Sequence, residues 1–391
     1  MRAGLVLLCM AYALSQFFRA VLAVLGGVLQ RDLGAGPADL ALASGLWFLT
    51  FAVMQLPIGL ALDRIGPRLT SAVLLAIGGG GGALVFALAT GPAHVNIAMG
   101  LIGVGCSPVL MASYYIFARQ FPPAQFATLA ALMLGIGSLG NLVASYPMAL
   151  AAEVLGWRVS MLGMACISAA VAAGIALLVK DPERVTTGER GSVLDLLKMR
   201  ALWPIFPLMF IAYAPAGAIR GLWIGPYLSD VFQLETGQVG QASMVMGVAM
   251  IAGALIYGPL DRLFGTQKWV CLIGNLCCGI ATLTLAVMIG RGVGLSITLC
   301  ALIGLFGSSF PMVVAHARGF MPTHLVGRGV TLLNLFGIGG VGVVQFGSGP
   351  LHAAATAAGG VQAGYATLFT FFGIIVILGC ALYLFSRDSN R

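Results

Sequence analysis

The chain has 391 residues, 60% of them hydrophobic and 8% charged, with a mean hydropathy of +1.01 and a net charge of +8. A soluble domain carries about 25% charged residues, so this inventory cannot cover a water-facing surface. In a soluble protein the basic balance would raise nucleic acid as a partner; here the placement of the charges matters more, and no nucleic-acid partner is expected.

A bilayer core takes about 20 apolar residues per helical crossing. In chain order, stretches nearly free of charge predict helices near 3–29, 39–62, 69–90, 96–118, 126–152 and 158–179. A second set follows near 201–228, 237–260, 269–290, 295–317, 329–350 and 365–386. The expected class is an all-α membrane protein of twelve transmembrane helices. The first segment is too long for a cleaved signal and carries Arg19 inside its apolar run, so it reads as a retained helix.

With the N-terminus cytoplasmic, 15 of the 20 basic residues fall on the inner side and only Arg31, Arg158 and Arg291 on the outer side. The positive-inside rule then predicts cytoplasmic termini and an even number of crossings, as for a multi-pass protein of a bacterial inner membrane. All eight cysteines lie in apolar stretches without a C-x-x-C pair, so they read as small buried hydrophobes. Neither a metal nor a cofactor is expected.

The chain repeats itself. Gly135-Ile136-Gly137-Ser138-Leu139-Gly140 recurs 202 residues later as Gly337-Ile338-Gly339-Gly340-Val341-Gly342, and each copy is followed by a proline, Pro147 and Pro350. Leu101-Ile102-Gly103 recurs at Leu302-Ile303-Gly304, and Asp63-Arg64 at Asp261-Arg262. The expected organisation is a six-helix bundle over 1–179, a cytoplasmic linker over 180–200 with a short surface helix in Ser192–Met199, and a second bundle over 201–391. Such parallel repeats are related by an axis along the membrane normal. The G-x-G-x-x-G spacing of Gly135–Gly140 would be a dinucleotide fingerprint only after a strand. Inside an apolar helix, it and Gly78–Gly82 predict close helix packing.

Between the second and third helices lies Gly59-Leu60-Ala61-Leu62-Asp63-Arg64-Ile65-Gly66-Pro67-Arg68. This segment resembles the cytoplasmic signature of the major facilitator superfamily, G-x-x-x-D-R-x-G-R-R, with Pro67 in place of a basic residue. Gly258-Pro259-Leu260-Asp261-Arg262-Leu263-Phe264-Gly265 is a degenerate second copy, and Gly156-Trp157-Arg158 looks like the turn into the sixth helix of that family. The resemblance implies the twelve-helix major facilitator fold and a conformational latch at Gly59, Asp63, Arg64, Gly66, Arg68, Asp261 and Arg262. A carboxylate at such a helix end can accept from a helix N-terminus or from Arg64 or Arg68, while Gly59 and Gly66 would allow close approach and a tight turn.

Arg19 and Arg220 lie 201 residues apart, the repeat offset, and each falls roughly 5–8 Å to the outer side of mid-helix at 1.5 Å per residue. An arginine there costs about 2.5–3.5 kcal/mol on the insertion scale and should face the bundle interior or a wet cavity. All twelve acidic residues map to helix ends or loops, leaving no carboxylate to neutralise either arginine. An anionic substrate joining both is therefore expected, since a guanidinium fork matches carboxylate or phosphate oxygens. Arginines on the first and seventh helices resemble those of the organophosphate:phosphate antiporters. The alternative for each is snorkelling or binding to backbone carbonyls.

Tyr114, Tyr115, Asn141, Ser309 and Gln345 are further candidates for hydrogen-bonding that substrate, with Trp223 as a cavity wall or stacking partner. Their competing role is helix-to-helix bonding. His94, His324 and His352 map to loops or helix ends and His316 to the end of the tenth helix, so exchange of anions, or passage of a partly protonated substrate, is favoured over a carboxylate proton relay. The expected protein is a monomeric secondary transporter of a small anion by alternating access. Multidrug efflux is the runner-up, and a non-transporting sensor or a membrane enzyme is less favoured.

Overall fold

A computed structural model of the chain describes residues 2–121, 123–182, 193–322 and 326–388. Among these, twelve helices are long and apolar enough to cross a bilayer: α1 Ala3–Leu33, α2 Pro37–Arg64, α3 Pro67–Ala87, α4 Pro92–Gln120, α5 Leu132–Val154, α6 Trp157–Leu178, α7 Ile205–Phe232, α8 Thr236–Phe264, α9 Gln267–Val287, α10 Val293–Arg318, α11 Gly329–Gly359 and α12 Val361–Tyr383. The described residues contain no strand. Of the predicted linker, residues 183–192 lie outside the described residues, as does His324; a short helix, Val193–Leu197, follows in the predicted place.

Helix starts follow local chemistry. Pro37, Pro67 and Pro92 occupy the first helical positions of α2, α3 and α4, where a missing N–H costs nothing and φ is already set. By its contacts the chain falls into two compact units, residues 1–186 with 235–241, and residues 187–234 with 242–391. The first is built around Phe17, Phe18, Trp47, Phe48, Phe86 and Phe117, the second around Trp223, Tyr227, Tyr365, Phe369, Phe372 and Tyr383, all fully buried. Leu177, Leu255 and Val287 instead present their apolar side chains outward, as lipid contact requires.

The last glycine of the first repeat copy, Gly140, and Gly340 in the second lie at helix crossings. A methyl on Gly140 of α5 would overlap the backbone carbonyl of Ala13 in α1, and one on Gly340 of α11 would overlap that of Phe210 in α7. In α3, Gly78 packs on the backbone of Gly105 in α4, within a π-helical turn over Leu75–Gly80. The close-packing expectation for both motifs thus holds, and no strand precedes either.

Carboxylates fasten each unit at both ends. In the first, Asp32 at the end of α1 accepts from Trp157 Nε1 at the start of α6 (2.8 Å) and lies 3.8 Å from Arg158. At the opposite end Asp181, beyond α6, accepts from the backbone N–H of Arg68 in the first turn of α3 (2.8 Å). The second unit repeats the plan. Asp230 near the end of α7 accepts from the Tyr365 hydroxyl of α12 (2.6 Å). Asp388, beyond α12, accepts from the backbone N–H groups of Gln267 and Lys268 at the start of α9 (3.2 Å each) and from the Thr266 hydroxyl. A carboxylate is favourable there because the first-turn N–H groups have no intrahelical partner and carry the positive end of the helix dipole. The tail is held further by His316, whose Nδ1 lies 2.6 Å from the Tyr383 hydroxyl and whose Nε2 lies 2.9 Å from the Arg387 carbonyl oxygen.

Partial burial pushes the Asp388 carboxyl up, but the Thr266 hydroxyl and the two backbone N–H groups outweigh it and hold it below the ordinary carboxylate range. Stability from this cap is therefore complete above about pH 4, the unfolded value, and is lost as pH falls through the depressed folded value. Asp388→Ala is expected to lower stability by about 1 kcal/mol at neutral pH, the usual cost of a lost cap, and to remove that part of the acid limb. Thermal unfolding followed against pH checks both. Equal acid limbs in the variant and the parent would contradict it.

Candidate functional site

In the first unit Arg19 projects from the second half of α1 onto an aromatic wall of α2. Its guanidinium carbon stands 5.2 Å from the Trp47 ring, 5.8 Å from Phe48 and 6.0 Å from Phe51. Positions 47, 48 and 51 share one face of a helix, which is how a single turn presents three rings to one cation. Ring faces attract a cation, by about 2 kcal/mol when desolvated, yet they take up none of its N–H donors. Arg19 Nε is buried and has no hydrogen-bond partner, and no carboxylate pairs with Arg19 among the described residues.

In the second unit Arg220 is only 2% exposed and donates from Nη1 to the Ser243 hydroxyl of α8 at 2.9 Å. It sits in a π-helical turn, Ile219–Trp223. Such a bulge breaks the regular ladder, and Pro226 adds to this by offering no N–H to the carbonyl four residues earlier. Gln345 of α11 meets the disturbed segment, donating to the Ala218 carbonyl (3.4 Å) and accepting from Trp223 Nε1 (3.0 Å). Ser348 Oγ accepts from the same indole N–H at 3.0 Å. Trp223 and Gln345 therefore form a clamp that fixes the backbone carrying Arg220.

The other predicted residues divide. Tyr114 is half-buried, with its ring 6.5 Å from Phe117. Tyr115 donates to Asp63 Oδ1 (3.1 Å) and carries Arg119 over its ring at 4.1 Å, so its hydroxyl serves the signature segment. Ser309 donates to Asn275 Oδ1 at 3.1 Å, a helix-to-helix bond between α10 and α9. Asn141 lies in α5, in the glycine-rich stretch that packs on α1.

In the signature, Gly66 has φ +107° and faces the Asp181 carboxylate, and Arg68 adds a side-chain contact to Asp181 at 3.6 Å. A methyl at Gly59 would meet nothing within 4 Å, so the close approach expected of it is not used, because it faces away from its neighbours. Arg64 is exposed at the end of α2. In the second copy Asp261 accepts from the Gln267 side chain at 3.2 Å, and Arg262 lies in the last turn of α8.

One sequence-based expectation is corrected. His352 is neither in a loop nor at a helix end: α11 continues through Pro350 to Gly359, and His352 is buried beside Trp223 (ring centroids 5.0 Å apart) and Tyr365 (4.5 Å). Proline is tolerated within a membrane helix because neighbouring groups re-satisfy the freed backbone. Sequence inspection also passed over Ser243, Asp181 and Asp388. The small residue at 243 carries no signal, whereas the two aspartates follow the sixth helix of each half and were findable from that equivalence.

The Major Facilitator Superfamily model matches residues 8–344. The chain belongs to the major facilitator superfamily. Solved structures sharing the superfamily's fold include a bacterial homologue of the human lysosomal transporter Spinster, inward-facing and occupied, with 16% identity, coverage of 98% of this chain and 96% of that one, and a TM-score of 0.71. A D-xylose–proton symporter matches at 15% identity, 99% and 98% coverage and a TM-score of 0.78. A nucleoside transporter matches at 15%, 98% and 99%, also with a TM-score of 0.78. At these identities the likeness is one of fold. No curated protein matches in sequence.

Proposed function

We propose that the chain is a secondary transporter, and not an enzyme or sensor, that moves a small organic or inorganic anion by alternating access. Arg19 supplies a donor from the N-terminal six-helix half and Arg220 one from the C-terminal half. The carrying observation is the Arg19 guanidinium, held on three rings with a buried Nε that finds no acceptor among the described residues. A cation in an apolar segment is expensive unless compensated, and a carboxylate or phosphate ester would supply both charge and acceptors. The resemblance to organophosphate:phosphate antiporters supports the same class.

The test is a thermal-shift screen of the purified protein against phosphate esters, carboxylates and inorganic anions, because a ligand of the native state raises apparent stability. Stabilisation by an anion that vanishes in Arg19→Gln is expected. Stabilisation by cationic or neutral aromatic compounds alone would favour drug efflux instead, a reading supported by the wall of Trp47, Phe48 and Phe51.

Two further proposals complete this function. Asp63, bonded to Tyr115, acts as the latch that biases the carrier between states, so Asp63→Asn should slow transport while changing equilibrium binding only by the shift in state populations. Unchanged uptake in a well-expressed variant reduces Asp63 to an anchor. The protein is taken as a monomer of a bacterial inner membrane, and the distribution of its basic residues supports cytoplasmic termini and a cytoplasmic 180–200 segment. A cysteine at position 189 that reacted with an impermeant reagent in intact cells would reverse that topology.

A further inference from the structure

The buried imidazole of the C-terminal half has no role in the site described above. His352 is 4% exposed within α11, and its Nε2 has no hydrogen-bond partner among the described residues. One helical turn on, the Thr356 hydroxyl is likewise buried and unpartnered. Both atoms are aimed at the same point of α12. A methyl at Gly364 would stand 3.0 Å from His352 Nε2 and would overlap Thr356 Oγ1, so a glycine there is what leaves room for them. On its other sides the imidazole is enclosed by rings, Trp223 from α7 and Tyr365 from α12.

The titratable and charged groups around it are few. Tyr365 faces it directly from α12. Behind Tyr365 stand Tyr227 of α7, ring centroids 5.3 Å away, and Asp230, which accepts from the Tyr365 hydroxyl at 2.6 Å. Arg220 lies three residues before Trp223 on α7.

We propose that His352 is a proton-binding site of this carrier. Uptake of a proton converts the neutral ring to imidazolium with N–H on both nitrogens, and release restores the neutral ring; no other bond changes. Three features support the charged form. The Trp223 and Tyr365 rings can stabilise a cation, the Thr356 hydroxyl can accept from Nε2–H, and the Asp230 carboxylate lies one residue beyond Tyr365. Asp230 is half-buried near the end of α7, which gives protons an entry at the rim of the unit. Because Trp223 also donates to Gln345 and Ser348, a charge on His352 bears on the clamp that holds the Arg220 segment. Protonation and anion binding would then be linked, as a coupled carrier needs.

The use made of the proton rests on the transport function proposed above, whereas the site itself does not, and it is tested without any anion. The chain has four histidines, so the full-length protein, labelled with ¹⁵N-histidine and reconstituted in lipid, gives few imidazole resonances by solid-state NMR. Those missing in His352→Gln, or in His352→Asn should the first not assemble, belong to His352. The expected result is conversion of these resonances between imidazole and imidazolium over about pH 4 to 8, with the midpoint displaced in Tyr365→Phe and in Asp230→Asn. A His352 signal that keeps one protonation state throughout overturns the proposal, and so does a midpoint unmoved by both substitutions. Neither failure would touch the anion assignment, which is read from the ligand screen.

Discussion

Arg220→Lys is expected to abolish most anion uptake although it preserves the charge, and Arg19→Lys should do the same. The Arg220 guanidinium already gives one Nη donor to Ser243, and its planar fork leaves further N–H groups, spread over a wide arc, for bidentate contact with an anion. A lysine ammonium is a compact point charge on a flexible stem and cannot give that paired geometry. At Arg19 the guanidinium contacts with Trp47, Phe48 and Phe51 are altered as well. Hydrogen bonds to charged groups contribute about 1.5–3 kcal/mol, so each lost contact should weaken anion binding by about 10- to 150-fold. Glutamine at either position should be weaker still. If both act on one ligand, the double variant costs less than the sum of the singles. The measurement is counterflow in proteoliposomes of whichever anion stabilises the parent protein. Normal transport by both lysine variants would return the arginines to a packing role.

The second large effect is on assembly. Gly140→Leu or Gly340→Leu should prevent recovery of folded protein, because each glycine lies against the backbone of the facing helix and not against a side chain that can turn away. Even alanine at either position is expected to cost about 1–3 kcal/mol, the usual penalty of overpacking. Gly135, in the same α5 motif, has nothing within 4 Å of where a methyl would be. Gly135→Ala should therefore be tolerated, and it separates a crossing requirement from a general need for glycine. Melting temperature and monodispersity on size exclusion read the difference. Equal behaviour of Gly135→Ala and Gly140→Ala would contradict this account of the motif.

The fold was largely legible because lipid imposes a simple rule: each crossing must be a helix of sufficient apolar length. The repeat and the Asp63–Arg64 signature then pointed to the family. Boundaries failed where a local rule was overridden, as at Pro350, which ends a helix in most soluble contexts but here lies inside α11. That misplacement moved His352 out of the membrane helix and hid its environment. The arginines were found because charge inside an apolar run is conspicuous, but their surroundings were not. No pattern in the sequence announces that Arg220 rides on a π-helical turn or that Ser243 meets it. Tyr115 shows another kind of surprise: nothing in the sequence signals that the fold brings its hydroxyl to Asp63, 52 residues away.

The carboxylates that close α3 and α9 carry a consequence for biosynthesis. Each belongs to the segment following the last helix of its own unit, so the start of the third helix in either half waits for a residue made more than a hundred positions later. Asp181 is synthesised before α7, and the first half can close while most of the second is unmade. Asp388 follows 207 residues later, about 10 to 40 s at ordinary translation rates. During that interval the N-terminal bundle stands complete beside a partner whose α9 is uncapped. The two halves are alike in plan but mature in sequence, and the open end of α9 is left to water until Asp388 is made.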